Sequence, residues 1–147
     1  MSLRCEMRRH FNKNLYNMNY FTLREIFKNC TPAEIRKAQH NNEVRKNISF
    51  LRNVLNEVRD FVNEPIIVTS WYRGVEHNKL VGGVRKSHHL TGGAADITCS
   101  NLDLLYKKCF SMPQITQIIR YDTFIHLSTI PTKNLRYVDK RKTYQNQ

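Results

Sequence analysis

Two histidines and one aspartate in the second half of the chain have the types and spacing of a three-ligand zinc site. Asp96 lies seven residues after His89, and His126 lies thirty residues after Asp96. Catalytic zinc usually takes three protein ligands, with histidine nitrogen and carboxylate oxygen among them, and keeps a fourth position open for water. These residues therefore predict a site for one zinc ion per chain, and the chemistry of such a site is hydrolysis by an activated water molecule.

Two strands and a loop must position these ligands. Asp96 alternates with apolar neighbours in the run 94–98, so it lies on the polar face of a predicted strand. His126 alternates in the same way, and both residues can face one cleft if their strands are neighbours. His89 lies in the loop before the first strand, where two glycines allow a sharp turn, and the adjacent His88 is an alternative ligand.

Four motifs occur in order between residues 67 and 128. They are Ile-Val-Thr-Ser-Trp-Tyr-Arg at 67–73, Val-Gly-Gly-Val at 81–84, Ser-x-His-x-x-Gly-x-Ala-Ala-Asp at 87–96, and Phe-Ile-His-Leu-Ser at 124–128. Together they resemble the zinc D-Ala-D-Ala carboxypeptidases and related cell-wall endopeptidases, a superfamily that also includes the hedgehog signalling domain. The resemblance covers about residues 20–128. It implies that His89, Asp96 and His126 are the metal ligands, with His89 favoured over His88.

The resemblance also implies roles for residues around the metal. Arg73 falls on the position of an arginine that holds a substrate carboxylate or polarises the scissile carbonyl. For Tyr72, a wall of the substrate site and a packing role both remain open. For Ser87, a hydrogen bond to a bound ligand and a turn cap both remain open. We assign Arg73, Tyr72 and Ser87 as candidate substrate-binding residues.

The chain departs from the family pattern at the general base. Active members commonly carry a Glu or His a few residues ahead of the last ligand, whereas residues 120–123 are Arg-Tyr-Asp-Thr here. Asp122 is the only carboxylate in this stretch, and its even offset from His126 would place both side chains on one strand face. We therefore predict Asp122 as the catalytic base. The alternative is a solvated residue at a turn.

The patterning predicts an α+β fold with a small, mainly antiparallel sheet and helices packed on one face, like that of the hedgehog and D-Ala-D-Ala peptidase superfamily. Thr22 and Thr31 each begin a capping-box pattern and therefore a short helix. Further predicted helices span 44–62, 75–80 and 101–110, and predicted strands span 66–71, 94–98, 114–120 and 123–128. The last two strands should form a hairpin. Four cysteines form no C-x-x-C pair, so we expect reduced thiols.

The charge of the chain indicates an anionic partner. Lysines and arginines number 24 against 12 acidic residues, for a net charge of +12, and basic residues concentrate at the two ends. We divide the chain into a basic N-terminal segment at 1–19, a zinc peptidase domain at 20–130 and a basic C-terminal tail at 131–147. Peptidoglycan peptides and anionic wall polymers are the expected partners, with nucleic acid as a weaker alternative.

The expected function is hydrolysis of peptide bonds in peptidoglycan, by a carboxypeptidase or an endopeptidase. No apolar stretch approaches 18 residues, so we expect no membrane span, and the N-terminus lacks the apolar centre of a signal peptide. We therefore expect synthesis in the cytoplasm and action at the wall after delivery by a lysis system or a virion, as for a phage or prophage enzyme. The alternative is a non-catalytic, zinc-stabilised module that binds wall polymer or nucleic acid.

Overall fold

Helices and strands occur in the predicted order up to residue 128, and one further strand follows. The computed structural model describes residues 19–133 and 136–142, so the predicted basic segment 1–19 falls almost wholly outside the described residues. The helices are α1 (Leu23–Ile26), α2 (Pro32–Gln39), α3 (Asn42–Val62), α4 (Val75–Leu80) and α5 (Leu102–Ser111), with a short 3-10 helix at His88–Thr91. The strands are β1 (Ile67–Ser70), β2 (Ala94–Thr98), β3 (Gln117–Arg120), β4 (Ile125–Ser128) and β5 (Tyr137–Asp139).

The strands form one sheet in the order β1-β2-β4-β3-β5. The first four pair antiparallel with their neighbours, whereas β5 pairs parallel with β3 at the far edge. The predicted α+β fold, the mainly antiparallel sheet and the hairpin of β3 and β4 are therefore confirmed, although β5 follows this hairpin and it is not the end of the sheet. β5 lies in the segment 131–147, and three residues are too few for the alternation that signals a strand.

Local sequence signals account for most of the element boundaries. The hydroxyls of Thr22 and Thr31 accept hydrogen bonds from the backbone N–H groups three residues ahead. The carboxylates of Glu25 and Glu34 accept hydrogen bonds from the backbone N–H groups of the two threonines, so both capping boxes form as predicted. α3 ends where Asn63 adopts a left-handed conformation with φ of 53°. β3 begins three residues later than predicted, because the N–H of residue 115 closes a turn on the carbonyl of residue 112.

Alternation along β2 and β4 separates a core face from a polar face. The apolar residues on either side of Asp96 and of His126 have no exposed surface and pack with apolar residues of α3 and α5. Burial stabilises the fold by about 1.5–3 kcal/mol for each large aliphatic side chain. A shift of either strand by one residue would bring polar side chains into this core, so the packing holds the register that places Asp96 and His126 on the opposite face.

Two further expectations concern thiols and membranes. Cys30, Cys99 and Cys109 are free thiols, as expected, while Cys5 lies outside the described residues. The thiol of Cys99 donates a hydrogen bond to the backbone carbonyl of Asn101 at 3.3 Å. Across the described ranges, no helix has the length and apolar character needed to cross a membrane.

Candidate metal centre

The pairing of β2 with β4 brings two of the predicted ligands together. Asp96 lies directly opposite His126 in the antiparallel register. Both side chains point away from the helices, because their flanking residues occupy the core face. The Nδ1 atom of His126 lies 2.8 Å from Oδ1 of Asp96. The strand pair alone therefore supplies a nitrogen and an oxygen ligand.

His89 approaches the same point from the 3-10 helix before β2. Its backbone N–H donates to the hydroxyl of Ser87 at 3.3 Å, and its ring Nδ1 lies 2.6 Å from the backbone carbonyl of Trp71. A carbonyl oxygen can only accept, so Nδ1 carries the proton and Nε2 presents its lone pair toward the other ligands. The ring is 2% exposed. Burial and two hydrogen bonds thus fix the orientation of His89.

A glycine and the indole of Trp71 hold the loop that carries His89. Gly92 has φ of 76°, and a Cβ atom at this position would lie 2.6 Å from the side chain of Ile48. The indole N–H of Trp71 donates to the carbonyl of Gly92 at 2.9 Å. Because glycine tolerates both the left-handed conformation and the close approach to α3, the chain can turn from the 3-10 helix directly into β2.

The three ligand atoms fit a single zinc ion. His89 Nε2 lies 3.2 Å from His126 Nδ1 and 3.3 Å from Asp96 Oδ1. Ligands about 2.0–2.2 Å from a tetrahedral zinc ion are about 3.3–3.6 Å from one another. Two sides of the triangle are close to this range, and the third, 2.8 Å between His126 and Asp96, is shorter. Two imidazole nitrogens and a carboxylate oxygen that converge in this way form a possible metal site within the described residues. The predicted alternative, His88, is not in this group.

Arg73 pairs with the oxygen of Asp96 that does not face the histidines. Its Nη2 donates to Asp96 Oδ2 at 3.1 Å, its Nε donates to the hydroxyl of Ser70 at 3.0 Å, and its Nη1 lies 3.5 Å from Oδ1 of Asn78. Asn78 is itself buried and donates to the carbonyl of Val84 at 2.9 Å. Arg73 is thus fixed on three sides, and its charge acts on a metal ligand as well as on the cleft.

The surroundings of Asp96 keep its carboxylate ionised. Burial raises the pKa of Asp96, but the side chains of His126 and His89, which lie beside its Oδ1 atom, lower the pKa and together outweigh burial. The pKa is held well below its ordinary range, so the group is anionic at neutral pH. A metal cation held between the two histidines would be a further partner of this charge.

The three ligand atoms open into a cationic cavity of about 650 Å³. Arg73, Lys86 and Lys140 line it, together with Ser87 and His88. Among the described residues, Asp96 is the only carboxylate in the lining, and His126 and Arg73 already contact it. The cavity therefore suits a substrate with negative charge.

Two of the predicted site residues lie outside this cavity lining. The ring of Tyr72 packs against Phe27 with the ring centroids 5.6 Å apart. This contact agrees with the packing role for Tyr72 and not with a wall of the substrate site, because Tyr72 is not among the lining residues. Asp122 lies in an exposed bend between β3 and β4, where its carboxylate accepts the backbone N–H of Lys142 at 3.3 Å. This geometry gives the assignment of Asp122 as base no support, and the assignment stays a prediction.

Four residues that the sequence patterns did not indicate also contribute to the site. Ser70 and Asn78 hold Arg73, and Ser128 bonds to the ring of His88 at 2.7 Å. Ser128 is two residues beyond His126, so the alternation of β4 carried a signal that it shares the face of that ligand. No comparable signal pointed to Lys140, because it reaches the cavity through the unpredicted strand β5.

Comparison with known proteins identifies the family. The sequence model of the Peptidase M15 family matches residues 19–128, which is well over half of the chain. The chain therefore belongs to the Peptidase M15 family, which resembles the zinc D-Ala-D-Ala carboxypeptidases. A search of curated proteins found no match. Family membership confirms the resemblance inferred from the four motifs and supports a metallopeptidase that depends on zinc.

Zinc content should depend on each of the three ligands. We expect the dialysed wild-type chain to hold about one zinc ion, and His126→Ala to lose most of it because only two ligands remain. Elemental analysis against protein concentration measures this. His40→Ala is the matched control, since His40 is an exposed histidine that caps α2 through the carbonyl of Arg36. Full zinc occupancy in His126→Ala would refute the ligand assignment.

Proposed function

We propose that this member of the Peptidase M15 family hydrolyses peptide bonds in bacterial peptidoglycan, as a carboxypeptidase or an endopeptidase with one zinc ion per chain. The observation that carries the proposal is the convergence of three ligand atoms at the base of a cationic cavity. The assignment of the fold to the hedgehog and D-Ala-D-Ala peptidase type is part of the same proposal.

The ligand triangle defines the chemistry of the site. Zinc in a site with three protein ligands lowers the pKa of a water molecule to about 7 and polarises a carbonyl oxygen. His89, Asp96 and His126 would hold the ion, and the hydrogen bond from His89 to Trp71 fixes the tautomer that such binding needs. Arg73 keeps the carboxylate of Asp96 turned so that Oδ1 faces the histidines. The same guanidinium lines the cavity, where it can attract a substrate carboxylate or the developing charge on the scissile carbonyl.

The charges of the cavity support peptidoglycan peptides as the substrate. These peptides carry free carboxylates, and three cationic side chains line the cavity against one engaged carboxylate. Lys140, which also lines the cavity, lies beyond the residues that match the family. It directly follows β5, and the backbone N–H of Lys140 donates to the carbonyl of Arg120 at 2.8 Å. Ser87 lines the cavity as well, so a role in substrate binding is compatible with its cap on the 3-10 helix.

A second candidate function is a zinc-stabilised module that binds wall polymer or nucleic acid without hydrolysis. One observation favours it, because no carboxylate other than Asp96 lines the cavity within the described residues. Hydrolysis by a metal-activated water commonly uses a positioned base. The basic surface that attracts a peptide substrate would equally attract an anionic polymer.

The strong positive charge supports a role in lysis or wall penetration for a phage or prophage. A net charge of +12 on 147 residues favours rapid association with an anionic wall. We propose delivery to the wall by a lysis system or a virion.

Digestion of purified muropeptides tests the proposed function. We expect the zinc-loaded chain to cleave a peptide bond, a chelator to abolish the cleavage, and added zinc to restore it, because the metal would activate the attacking water. Mass spectrometry of the products distinguishes release of a terminal residue from cleavage inside a stem peptide or a cross-link. A fully zinc-loaded chain that cleaves no muropeptide would favour the binding module instead.

Arg73→Lys tests the fixed guanidinium. A lysine ammonium cannot reproduce the planar fork that reaches Asp96, Ser70 and Asn78 together. Loss of one charge-assisted hydrogen bond, about 1.5–3 kcal/mol, should lower kcat/KM by about 10- to 100-fold while zinc content stays unchanged. Arg85→Lys is the matched control, because Arg85 is exposed in a neighbouring loop and does not line the cavity. Equal activity of Arg73→Lys and the wild type would remove Arg73 from the reaction.

Asp122→Asn tests the predicted base. Because the carboxylate lies in an exposed bend and bonds to a backbone N–H, we expect this variant to keep near-wild-type activity and zinc content. Steady-state kinetics on the muropeptide that the wild type cleaves measures this. A loss of about 10²- to 10⁴-fold, which is typical for a positioned base, would instead establish Asp122 as the base and require the bend to move in the substrate complex.

A further inference from the structure

His88 is attached to the two elements that carry the histidine ligands. It directly precedes His89 in the 3-10 helix, and its ring Nδ1 lies 2.7 Å from the hydroxyl of Ser128. Ser128 is the last residue of β4, two residues after His126 and on the same face of the strand. The ring is therefore held beside the ligand cluster without belonging to it.

The hydroxyl of Ser128 determines which ring nitrogen of His88 carries the proton. Ser128 has no exposed surface, and its oxygen accepts the backbone N–H of Ile130 at 3.1 Å. Within the described part of the chain, the only acceptor in reach of the hydroxyl proton is Nδ1 of His88. A buried hydroxyl without an acceptor is unfavourable, because its hydrogen bond to water is lost and not replaced. Nδ1 of the neutral ring therefore accepts, and the proton sits on Nε2.

His88 belongs to the lining of the cationic cavity. His88 lines this cavity together with Arg73, and no described residue accepts a hydrogen bond from Nε2. A fixed donor at the edge of a hydrolytic site is suited to a carbonyl oxygen on which negative charge develops, because the donor is oriented before the reaction begins. In this tautomer Nε2 has no lone pair, so the ring cannot take a proton from water at that atom.

We propose that His88 is a catalytic hydrogen-bond donor, whose Nε2–H stabilises the scissile carbonyl oxygen as the tetrahedral species forms, and that Ser128 is the positioning residue that fixes its tautomer. The proposal rests on the proposed hydrolysis. The proton stays on Nε2 throughout, and the only bond formed at His88 is the hydrogen bond to the substrate oxygen. His88 and Arg73 would then both contact the substrate from the lining of the cavity.

Kinetics of two His88 variants test the donor role on the zinc-loaded full chain. We expect His88→Ala to lower kcat by about 10²- to 10³-fold, the usual effect of removing one donor to a developing oxyanion, with KM and zinc content little changed. His88→Gln should recover at least about tenfold of this loss, because its side-chain amide can donate from a similar position. His77→Ala is the control, since His77 lies on α4 and does not line the cavity.

Two outcomes would overturn the donor role. Activity of His88→Ala equal to the wild type would remove His88 from the reaction. Equal activities of His88→Gln and His88→Ala, both well below the wild type, would show that packing of the ring matters and donation does not. Binding of a phosphinate peptide, which mimics the tetrahedral species, is the second measurement. Its affinity should fall in His88→Ala in parallel with kcat/KM, while the affinity for the product peptide stays constant.

The tautomer can be observed without any activity. Nitrogen-15 correlation spectra of the labelled chain distinguish protonated from unprotonated ring nitrogens, and comparison with His88→Gln assigns the signals of His88. We expect a protonated Nε2 and an unprotonated Nδ1, and Ser128→Ala should remove this preference. A ring protonated on Nδ1 would overturn the proposal even if the chain hydrolyses muropeptides. The expected tautomer in a chain that cleaves nothing would mean that the proposed hydrolysis had failed, while the arrangement of the ring stood.

Discussion

The carboxylate of Asp96 is the group on which the arrangement of the site depends. One of its oxygens lies within 3.3 Å of both histidine ligands, and the other accepts a hydrogen bond from Arg73. An ionised carboxylate this far from bulk water needs partners on both oxygens. His89 and His126 contact one oxygen of Asp96, and the guanidinium of Arg73 contacts the other. A single buried charge therefore determines the placement of the two histidines and of Arg73.

The same alternation that builds the core also builds the site. Asp96 and His126 face each other because β2 and β4 pair in a register that their fully buried apolar neighbours enforce. The position of His89 depends on contacts with residues farther away in the chain. It needs the left-handed conformation of Gly92, the hydrogen bond from its ring to the carbonyl of Trp71, and the hydrogen bond from the indole of Trp71 to the carbonyl of Gly92. The rigid sheet therefore positions two of the candidate ligands, and one well-anchored loop positions the third, which is the preorganisation that metal binding and catalysis both require.

The sequence predicted what depends on local pattern and missed what depends on long-range placement. Strand alternation located Asp96 and His126, and capping boxes located two helices, because both signals arise between residues close in the chain. Asp122 shows the limit of this reasoning. Its even offset from His126 places both side chains on one face only if the strand is unbroken between them. β4 begins at Ile125, after a bend that contains Asp122. Lys140 and the Ser128 contact of His88 depend on how distant segments pack, which no local pattern records.

X-ray absorption spectroscopy at the zinc edge of the loaded chain reports the metal ligands themselves. If His89, Asp96 and His126 hold the ion, the spectrum shows a first shell of nitrogen and oxygen atoms at about 2.0–2.2 Å, with the outer-shell scattering of two imidazole rings. That scattering should fall to one ring in His126→Ala reconstituted with excess zinc. A sulfur shell at about 2.3 Å, or a first shell of oxygen atoms without imidazole, would contradict a centre formed by His89, Asp96 and His126.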